Sequence, residues 1–232
     1  QSANVIVDDF IAPVCHEHIK IIYQDDDILL INKPSGLLSL SGKNPLNWDS
    51  VHYRLVNGQQ GVTAAFPTAI LPHRLDLGTS GVMVVALNEQ AAKALNQQFQ
   101  SRSVKKQYRA MLFGLVAESQ GEITAPIAKD KMLFPKVKIC HQSGKPSRTQ
   151  FKVVKRFNKE QKTLVDFTPI TGRTHQLRIH SLILGHPILG CDLYKNDCSE
   201  QGAQRLLLHA SDLFFVHPCT DKPMHGHATT PF

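Results

Sequence analysis

The sequence predicts an α+β fold in which helices flank a mixed, mainly antiparallel sheet. Strand patterns outnumber helix patterns, and short polar turns join most neighbouring strands as hairpins. Two segments show the helical spacing of apolar residues. The sequence contains neither a glycine-rich dinucleotide fingerprint nor a phosphate-binding P-loop, so it gives no support for a nucleotide-cofactor fold.

The first two strands are predicted by apolar runs at residues 19–23 and 28–32, which flank a polar turn at residues 24–27. This hairpin is expected to end in the loop Lys33-Pro34-Ser35-Gly36, because proline and glycine interrupt regular structure. A third apolar run, at residues 82–88, predicts a buried strand.

Asn88 is expected to cap a helix over residues 89–100, because its side chain can accept a hydrogen bond from an amide of the first turn. The apolar face of this helix consists of Ala92, Leu95 and Phe99. Residues 108–113 alternate between apolar and polar side chains and predict another strand.

A second hairpin is predicted for residues 148–157 and 162–169, around a polar turn at residues 158–161. A second helix follows, for which Thr174 is the expected N-cap. Its approximate apolar stripe is Leu177, Ile179, His180, Ile183 and Leu184, and Gly185 with Pro187 provides the stop.

Length and composition favour a globular protein with one domain. The chain has 232 residues, of which 42% are hydrophobic and 19% charged. We expect an N-terminal extension over residues 1–18 and a single domain over residues 19–232. The sequence contains no apolar run long enough to cross a bilayer and no signal pattern at its start, so a cytoplasmic monomer without membrane association is the expectation. Five scattered cysteines without a C-x-x-C pair fit a reducing compartment.

The net charge of +7 is concentrated in one segment. Residues 129–156 contain nine lysines and arginines against the single acidic residue Asp130, so the rest of the chain is nearly neutral. Concentrated positive charge favours a surface that binds a polyanion such as nucleic acid. A solvated hairpin whose lysines serve solubility explains the charge equally well.

Four polar clusters follow predicted strands, where a rigid scaffold often presents reactive groups. They cover residues 32–36, 73–81, 105–108 and 171–178. The second is the most unusual, because a histidine, an arginine and Asp76 fall in a run of four residues directly before a glycine-bounded turn. The alternative is that Asp76 only caps this turn through the amide of Thr79 or Ser80.

These clusters and two further motifs resemble the RluA-type pseudouridine synthases. The matching runs are NKPSGLLS (32–39), HRLDLGTSG (73–81), KKQY (105–108), PITGRTHQLRIH (169–180), GHPILG (185–190) and RLLLHA (205–210). They occur in the order typical of the family and span most of the chain, so the resemblance is specific. It is closest to short members that lack an N-terminal S4 RNA-binding domain.

The resemblance implies an isomerisation of uridine within RNA, in which the N1 glycosidic bond breaks, the uracil turns and C5 bonds to C1′. Asp76 matches the essential aspartate of the family, which either attacks C1′ or removes a proton at C2′. Arg173 is expected to pair with this aspartate, and Tyr108 to stack on the uracil and to assist removal of the C5 proton. Arg74 matches the residue that replaces the extruded nucleotide in the RNA helix.

The remaining expected contacts with the substrate are His73, which supports the loop, and Lys136, Lys138 and Arg148 of the basic segment. In the family this segment is a mobile hairpin that grips RNA, so the expected partner is a structured stem-loop of ribosomal or transfer RNA. The reaction implies no cofactor and no metal, because it involves neither net redox change nor hydrolysis. A rival prediction keeps the fold and the basic hairpin in a non-catalytic RNA-binding or ribosome-assembly factor.

The sequence departs from the family at two places. Cys191 follows Gly190 where an aspartate is expected, and Asp192 is predicted to take that role. The C-terminal segment contains His225 and His227 instead of an apolar and acidic strand. A third hypothesis, a metal-dependent hydrolase that uses these histidines, is disfavoured because their spacing matches no standard zinc pattern.

Overall fold

The computed structural model describes residues 9–132 and 136–232. The strands of these residues are, in chain order, β1 (Lys20–Gln24), β2 (Ile28–Lys33), β3 (Ser80–Ala86), β4 (Lys105–Phe113), β5 (Gln120–Thr124), β6 (Ile127–Lys129), β7 (Val137–Ile139), β8 (Arg148–Phe157), β9 (Lys162–Pro169), β10 (Leu208–Val216) and β11 (Pro223–His227). The α-helices are α1 (Val51–Asn57), α2 (Glu89–Gln100) and α3 (Gln176–Leu184). Short 3-10 helices lie at Pro45–Asn47 and Glu200–Gly202.

Most of these strands form one sheet in the order β1-β2-β3-β10-β4-β9-β8-β5, to which β11 is added by pairing with β10. The strands β6 and β7 form a separate two-stranded sheet. All named pairs are antiparallel except β3 with β10, which run parallel over two residues. The prediction of a mixed, mainly antiparallel sheet with flanking helices is therefore confirmed.

The centre of the sheet depends on Gly81. A Cβ atom at this position would lie 2.2 Å from the carbonyl oxygen of Ala210, and the φ angle of Gly81 is +128°. Only glycine allows β3 to approach β10 this closely. The loop that carries Asp76 leads directly into β3, so this contact also anchors the loop.

The strands β2 and β3 are covered on both faces, which explains why their sequences are continuously apolar rather than alternating. One face packs against α2, with Leu30, Val82, Val84 and Leu95 in a common core. The other face packs against α1, with Leu29, Ile31, Met83, Val51 and Leu55 in a second core. A third core lies between the half of the sheet that contains β4, β8 and β9 and the helix α3. No helix in the described part of the chain is both long and apolar enough to span a membrane.

Both predicted hairpins and the first predicted helix are confirmed. The helix α2 spans residues 89–100 as expected, and the Asn88 side chain accepts a hydrogen bond from the amide of Ala91 at 2.9 Å. The second helix differs at its start, because His175 and not Thr174 occupies the N-cap, in a left-handed conformation with φ of 53°. The Gln176 side chain instead accepts a hydrogen bond from the amide of Arg173 at 3.1 Å. The predicted apolar residue Ile183 is 53% exposed, because the buried face lies nearer the start of the helix.

The basic segment 129–156 is not a single hairpin, contrary to prediction. Its first part extends from the end of β6 through β7, and its last part is the strand β8, which lies between β5 and β9 in the main sheet. The positive charge is therefore divided between a small separate hairpin and a strand whose position is fixed by pairing on both sides.

Candidate active site

A cavity of about 730 Å³ opens where three of the polar clusters meet residues 38–43, a segment that begins at the end of the first motif. It is lined by the loop before β3, the beginning of β4 and the start of α3. The charged lysine, arginine and aspartate side chains among its lining residues are Lys43, Arg74, Asp76, Lys106, Arg173 and Arg178. Five of these six are basic and Asp76 is the single carboxylate among them, so the cavity is suited to a phosphate-containing ligand.

The Asp76 loop, residues 73–79, is tied to the segment 33–39 by several hydrogen bonds. The Ser39 hydroxyl donates to the carbonyl of Leu75 at 2.7 Å and accepts from its amide at 3.1 Å. The amide of Gly36 donates to the carbonyl of Leu77 at 2.8 Å, and the Ser35 hydroxyl donates to that of Gly78 at 2.7 Å. The motif 32–39 thus positions the Asp76 loop, a role that the order of motifs along the chain does not reveal.

Lys33 completes this connection from inside the protein. Its fully buried ammonium group donates to the carbonyls of Pro34 at 3.0 Å, Leu37 at 2.6 Å and Leu77 at 3.2 Å. Burial lowers the pKa of Lys33 to about 7, although the nearby charges of Cys15 and Asp76 oppose this effect. Sequence reasoning missed this residue; its signal was a lysine directly after an apolar strand and before a proline.

Asp76 faces Arg178, whose Nη1 lies 3.5 Å from Oδ2 of the aspartate. The Asp76 side chain is 42% exposed, whereas that of Arg178 is 9% exposed, so a buried cation holds an accessible carboxylate. The amide of Thr79 does not donate to the Asp76 side chain, as the alternative of a turn-capping role would require. That amide donates to the main-chain carbonyl of Asp76 at 3.1 Å instead.

Arg173 is not the ion-pair partner of Asp76, which corrects the prediction. Its Nε donates to the carbonyl of Pro146 at 3.2 Å, across the loop that precedes β8. Arg173 lies before the left-handed residue His175, whereas Arg178 lies within the helix, and only the latter is turned towards Asp76. Arg173 still lines the cavity.

Asp192 also contacts Arg178, with 3.0 Å between Oδ1 and Nη2. The arginine therefore lies between two carboxylates, of which only Asp76 lines the cavity. Asp192 was expected to replace the aspartate missing after Gly190, and this contact gives it a specific role in orienting Arg178.

Tyr108 lies on β4 and lines the cavity. Burial and the negative charge of Asp76 raise the pKa of its phenol well above its usual value. Tyr108 is therefore a neutral phenol at physiological pH, a flat ring with a hydroxyl rather than a phenolate base.

His73 and Arg74 lie side by side but differ in their surroundings. The His73 ring stacks on Phe99 at 4.5 Å between centroids, and its Nε2 accepts a hydrogen bond from the amide of Val84 at 3.0 Å. Burial lowers the pKa of His73 to about 3, so the ring is neutral and supports the loop. Arg74 is exposed at the rim of the cavity.

His175 and Tyr194 connect the cavity to β7, a link that sequence reasoning missed. The Tyr194 hydroxyl accepts a hydrogen bond from the amide of Val137 at 2.8 Å and lies 2.8 Å from Nδ1 of His175. The hydroxyl oxygen can accept from Val137 and still pair with His175 in either tautomer of the imidazole. Burial lowers the pKa of His175, and the nearby Arg178 charge adds to this effect.

The three predicted RNA contacts of the basic segment occupy different environments. Lys136 lies 5.9 Å from the centre of the Tyr194 ring, next to this link, and Lys138 is exposed on β7. Arg148 forms a two-point ion pair with Glu122, at 2.8 Å and 3.0 Å. Its charge is therefore already partnered, which the sequence did not predict because Glu122 lies on a different strand.

A comparison with protein families matches residues 27–182 to a family described as RNA pseudouridylate synthase. The chain is 45% identical over 205 residues to the dual-specificity RNA pseudouridine synthase RluA of Yersinia pestis, covering 88% of this chain and 96% of that one. It is 42% identical over 212 residues to the protein of the same name from Escherichia coli strain K12, covering 91% and 93%. Among solved structures, human RNA Pseudouridylate Synthase Domain Containing 1 superposes with a TM-score of 0.76 at 30% identity, covering 95% and 86%.

Proposed function

Since this chain belongs to the RNA pseudouridylate synthase family and is an RNA-modifying isomerase, we propose that it converts specific uridines of both ribosomal and transfer RNA to pseudouridine with Asp76 as the catalytic carboxylate. The observation that carries this proposal is the accessible Asp76 carboxylate held by the buried Arg178 in a cavity lined by basic side chains. The relatives of this chain from Yersinia pestis and Escherichia coli are named for dual specificity, which supports action on more than one RNA class.

The reaction needs a carboxylate close to the sugar of the target nucleotide. In one route Asp76 attacks C1′ while the N1–C1′ bond breaks, giving a covalent sugar ester and a uracil anion. In the other route it removes the C2′ proton while the N1–C1′ bond breaks, giving a glycal and a uracil anion. In both routes the uracil turns and C5 bonds to C1′, which breaks the ester to the carboxylate in the first route and is accompanied by return of the proton to C2′ in the second. The C5 proton is then lost and N1 regains a proton, so that substrate and product are isomers. Arg178 orients the carboxylate for either route.

Tyr108 supplies the surface on which the uracil stacks. Its neutral phenol can also donate a hydrogen bond to a carbonyl oxygen of the base. A neutral phenol is a poor base, so we assign removal of the C5 proton to another acceptor, for which the nearby Asp76 carboxylate is the candidate.

Arg74 takes the place of the extruded nucleotide. Extrusion of a stacked base costs a few kcal/mol, and least in a loop. A planar guanidinium at the rim can stack on the neighbouring bases and contact phosphate, which offsets part of that cost. The expected substrate is therefore a stem-loop, bound by a monomer whose single catalytic domain spans residues 19–232.

The test is the conversion of uridine in stem-loop RNAs by Asp76→Asn, with pseudouridine measured by chemical mapping. We expect no conversion but normal RNA binding, because the amide keeps the shape and cannot act as base or nucleophile. Asp49→Asn is the matched control, since it also removes the charge of an aspartate paired with an arginine, Arg54, and it should retain activity.

Full conversion by Asp76→Asn would contradict the catalytic role of this residue. Total RNA from cells with and without the protein is mapped in the same way. If the unmodified protein binds RNA but both samples contain the same pseudouridines, the chain acts instead as the non-catalytic RNA-binding factor.

A further inference from the structure

Asp212, His225 and His227 meet on the face of the sheet opposite the cavity. Asp212 is paired with Gln107, whose neighbour Tyr108 faces the cavity, so Asp212 lies on the other face. The register of β10 and β11 places His227 directly opposite Asp212, and His225 lies two residues away on the same face. The sequence spacing of the two histidines matched no standard zinc pattern, because the third residue of the cluster comes from a different strand.

The donor atoms of these side chains are close enough to share one ion. Oδ2 of Asp212 lies 2.6 Å from Nε2 of His225 and 3.0 Å from Nδ1 of His227, and the three atoms lie within 4.8 Å of one another. A tetrahedral zinc ion with bonds of roughly 2.0–2.2 Å requires donors about 3.3 Å apart. Small side-chain rotations are sufficient to open the cluster to this spacing.

We propose that Asp212, His225 and His227 form a binding site for a single zinc ion that joins β11 to β10. Two imidazoles and one carboxylate are donors that zinc accepts, and three protein ligands leave a fourth position for water. The histidine rings are 51% and 56% exposed, so an ion can reach them, whereas the Asp212 side chain is 17% exposed and held in place.

Packing favours the required orientation of one ligand. The His225 ring stacks on Phe214 with 4.3 Å between centroids and an angle of 14°. The nearby cations weaken the attraction for a dication but are engaged elsewhere. Arg109 is paired with Asp166 at 2.9 Å, and Lys105 lies 5.9 Å from the Phe214 ring.

A second cluster, formed by Asp25, Asp27 and His217, lacks this capacity. Nδ1 of His217 accepts hydrogen bonds from the amides of Cys219 and Thr220, both at 3.1 Å. Its Nε2 donates to Asp25 at 2.8 Å, so no lone pair of this imidazole is available to a metal. His217 connects two turns of the fold, whereas His225 and His227 each present a nitrogen to an accessible surface.

The experiment is a zinc titration of the tag-free chain by calorimetry, with cobalt absorption spectra to report the number and geometry of ligands. We expect saturable binding of one zinc per chain and a rise in melting temperature with zinc. His225→Ala and His227→Ala should each abolish saturable binding, and Asp212→Asn should weaken it. Circular dichroism checks that the variants are folded, and both histidines are exposed enough for substitution.

The matched control is the double variant His16→Ala, His18→Ala. It removes the other pair of exposed histidines separated by one residue, which belongs to no three-donor cluster in the described part of the chain. Zinc binding should be unchanged in this variant. Three results would each overturn the proposal. They are absence of saturable binding to the unmodified chain, binding that survives in His225→Ala, and loss of binding only in the control. Pseudouridine formation is measured separately, and it should not depend on these residues.

Discussion

The Asp76 loop lines the cavity, whereas the hairpin of β6 and β7 is connected to it through Tyr194 and His175, and the two are held in different ways. Two neighbouring segments fix the loop, residues 33–39 through Lys33, Ser35 and Ser39, and β3 through the amide of Val84. The hairpin is attached by the Tyr194 hydroxyl, which accepts from the amide of Val137, and by the apolar side chains of Ile127 and Val137, which pack in the core beside α3. This difference matches the functions proposed for the two regions. Catalysis by the loop requires a fixed carboxylate, whereas attraction between lysines of the hairpin and RNA phosphates tolerates movement.

The largest effect that tests this contrast is expected for Arg178→Ala. The variant leaves Asp76 without its cation, and we expect kcat to fall by about 100-fold or more, a loss typical of removing a group that organises charge in the site. Arg173→Ala should mainly raise KM, because Arg173 lines the cavity without contacting Asp76. Single-turnover measurement of pseudouridine formation separates the two effects. Equal losses of kcat in both variants would contradict the assignment, and Arg178→Lys distinguishes charge from folding.

Lys33→Met tests how firmly the loop is fixed. It removes the Lys33 donor from three carbonyls, of which that of Leu77 keeps a second donor, the amide of Gly36. This loss is expected to cost about 1–3 kcal/mol of unfolding free energy and to lower kcat.

The pH dependence of Lys33 gives a second test of the same residue. Its pKa falls from 10.5 in the unfolded chain to about 7 in the fold, so between these values the unfolded state binds more protons. The stability of the unmodified protein should therefore rise from pH 7 to pH 9 relative to that of Lys33→Met, with a slope of up to about 1.4 kcal/mol per pH unit. Urea unfolding at the two pH values measures this slope. An unchanged difference would mean that Lys33 keeps its ordinary pKa.

The double variant Lys136→Gln, Lys138→Gln tests the other region. We expect a several-fold increase in KM, little change in kcat and a salt dependence of RNA binding that is shallower by about 0.7–0.9 per lost phosphate contact. Arg148→Gln should have a smaller effect, because its charge is already paired with Glu122. Lys159→Gln is the matched control, since Lys159 is exposed in the turn at the other end of β8. RNA-binding titrations at several salt concentrations distinguish the loss of phosphate contacts at Lys136 and Lys138 from a general effect of lower positive charge.

The smallest effect is expected for Tyr194→Phe, which removes the hydrogen bonds between β7 and His175. The loss of unfolding free energy should be about 0.5–1.5 kcal/mol. RNA binding should weaken more than kcat falls, because the change loosens the hairpin and leaves Asp76 in place. A larger loss of kcat than in Lys33→Met would show that the two regions are more strongly coupled than their contacts indicate.

Local interactions explain which parts of the fold could be predicted. The hairpins around residues 24–27 and 158–161 and the helix α2 with its Asn88 cap depend on neighbours within a few residues, and the structure confirms them. The strands β5, β6 and β7 were not predicted, because they are short and are specified by pairing with distant segments. The prediction of Thr174 as the cap of α3 was wrong, because the left-handed conformation of His175 has no clear local signal in the sequence.

The sequence by itself determined the local elements, the motifs that contain Asp76 and Tyr108, and their resemblance to RNA-modifying enzymes. Only the tertiary structure decided that Arg178 rather than Arg173 pairs with Asp76, that Glu122 partners Arg148, and that Asp212 joins two histidines. The physical reason is that these contacts depend on where a helix begins and on the register of paired strands. Both are set by packing over the whole sheet rather than by residue spacing within a motif.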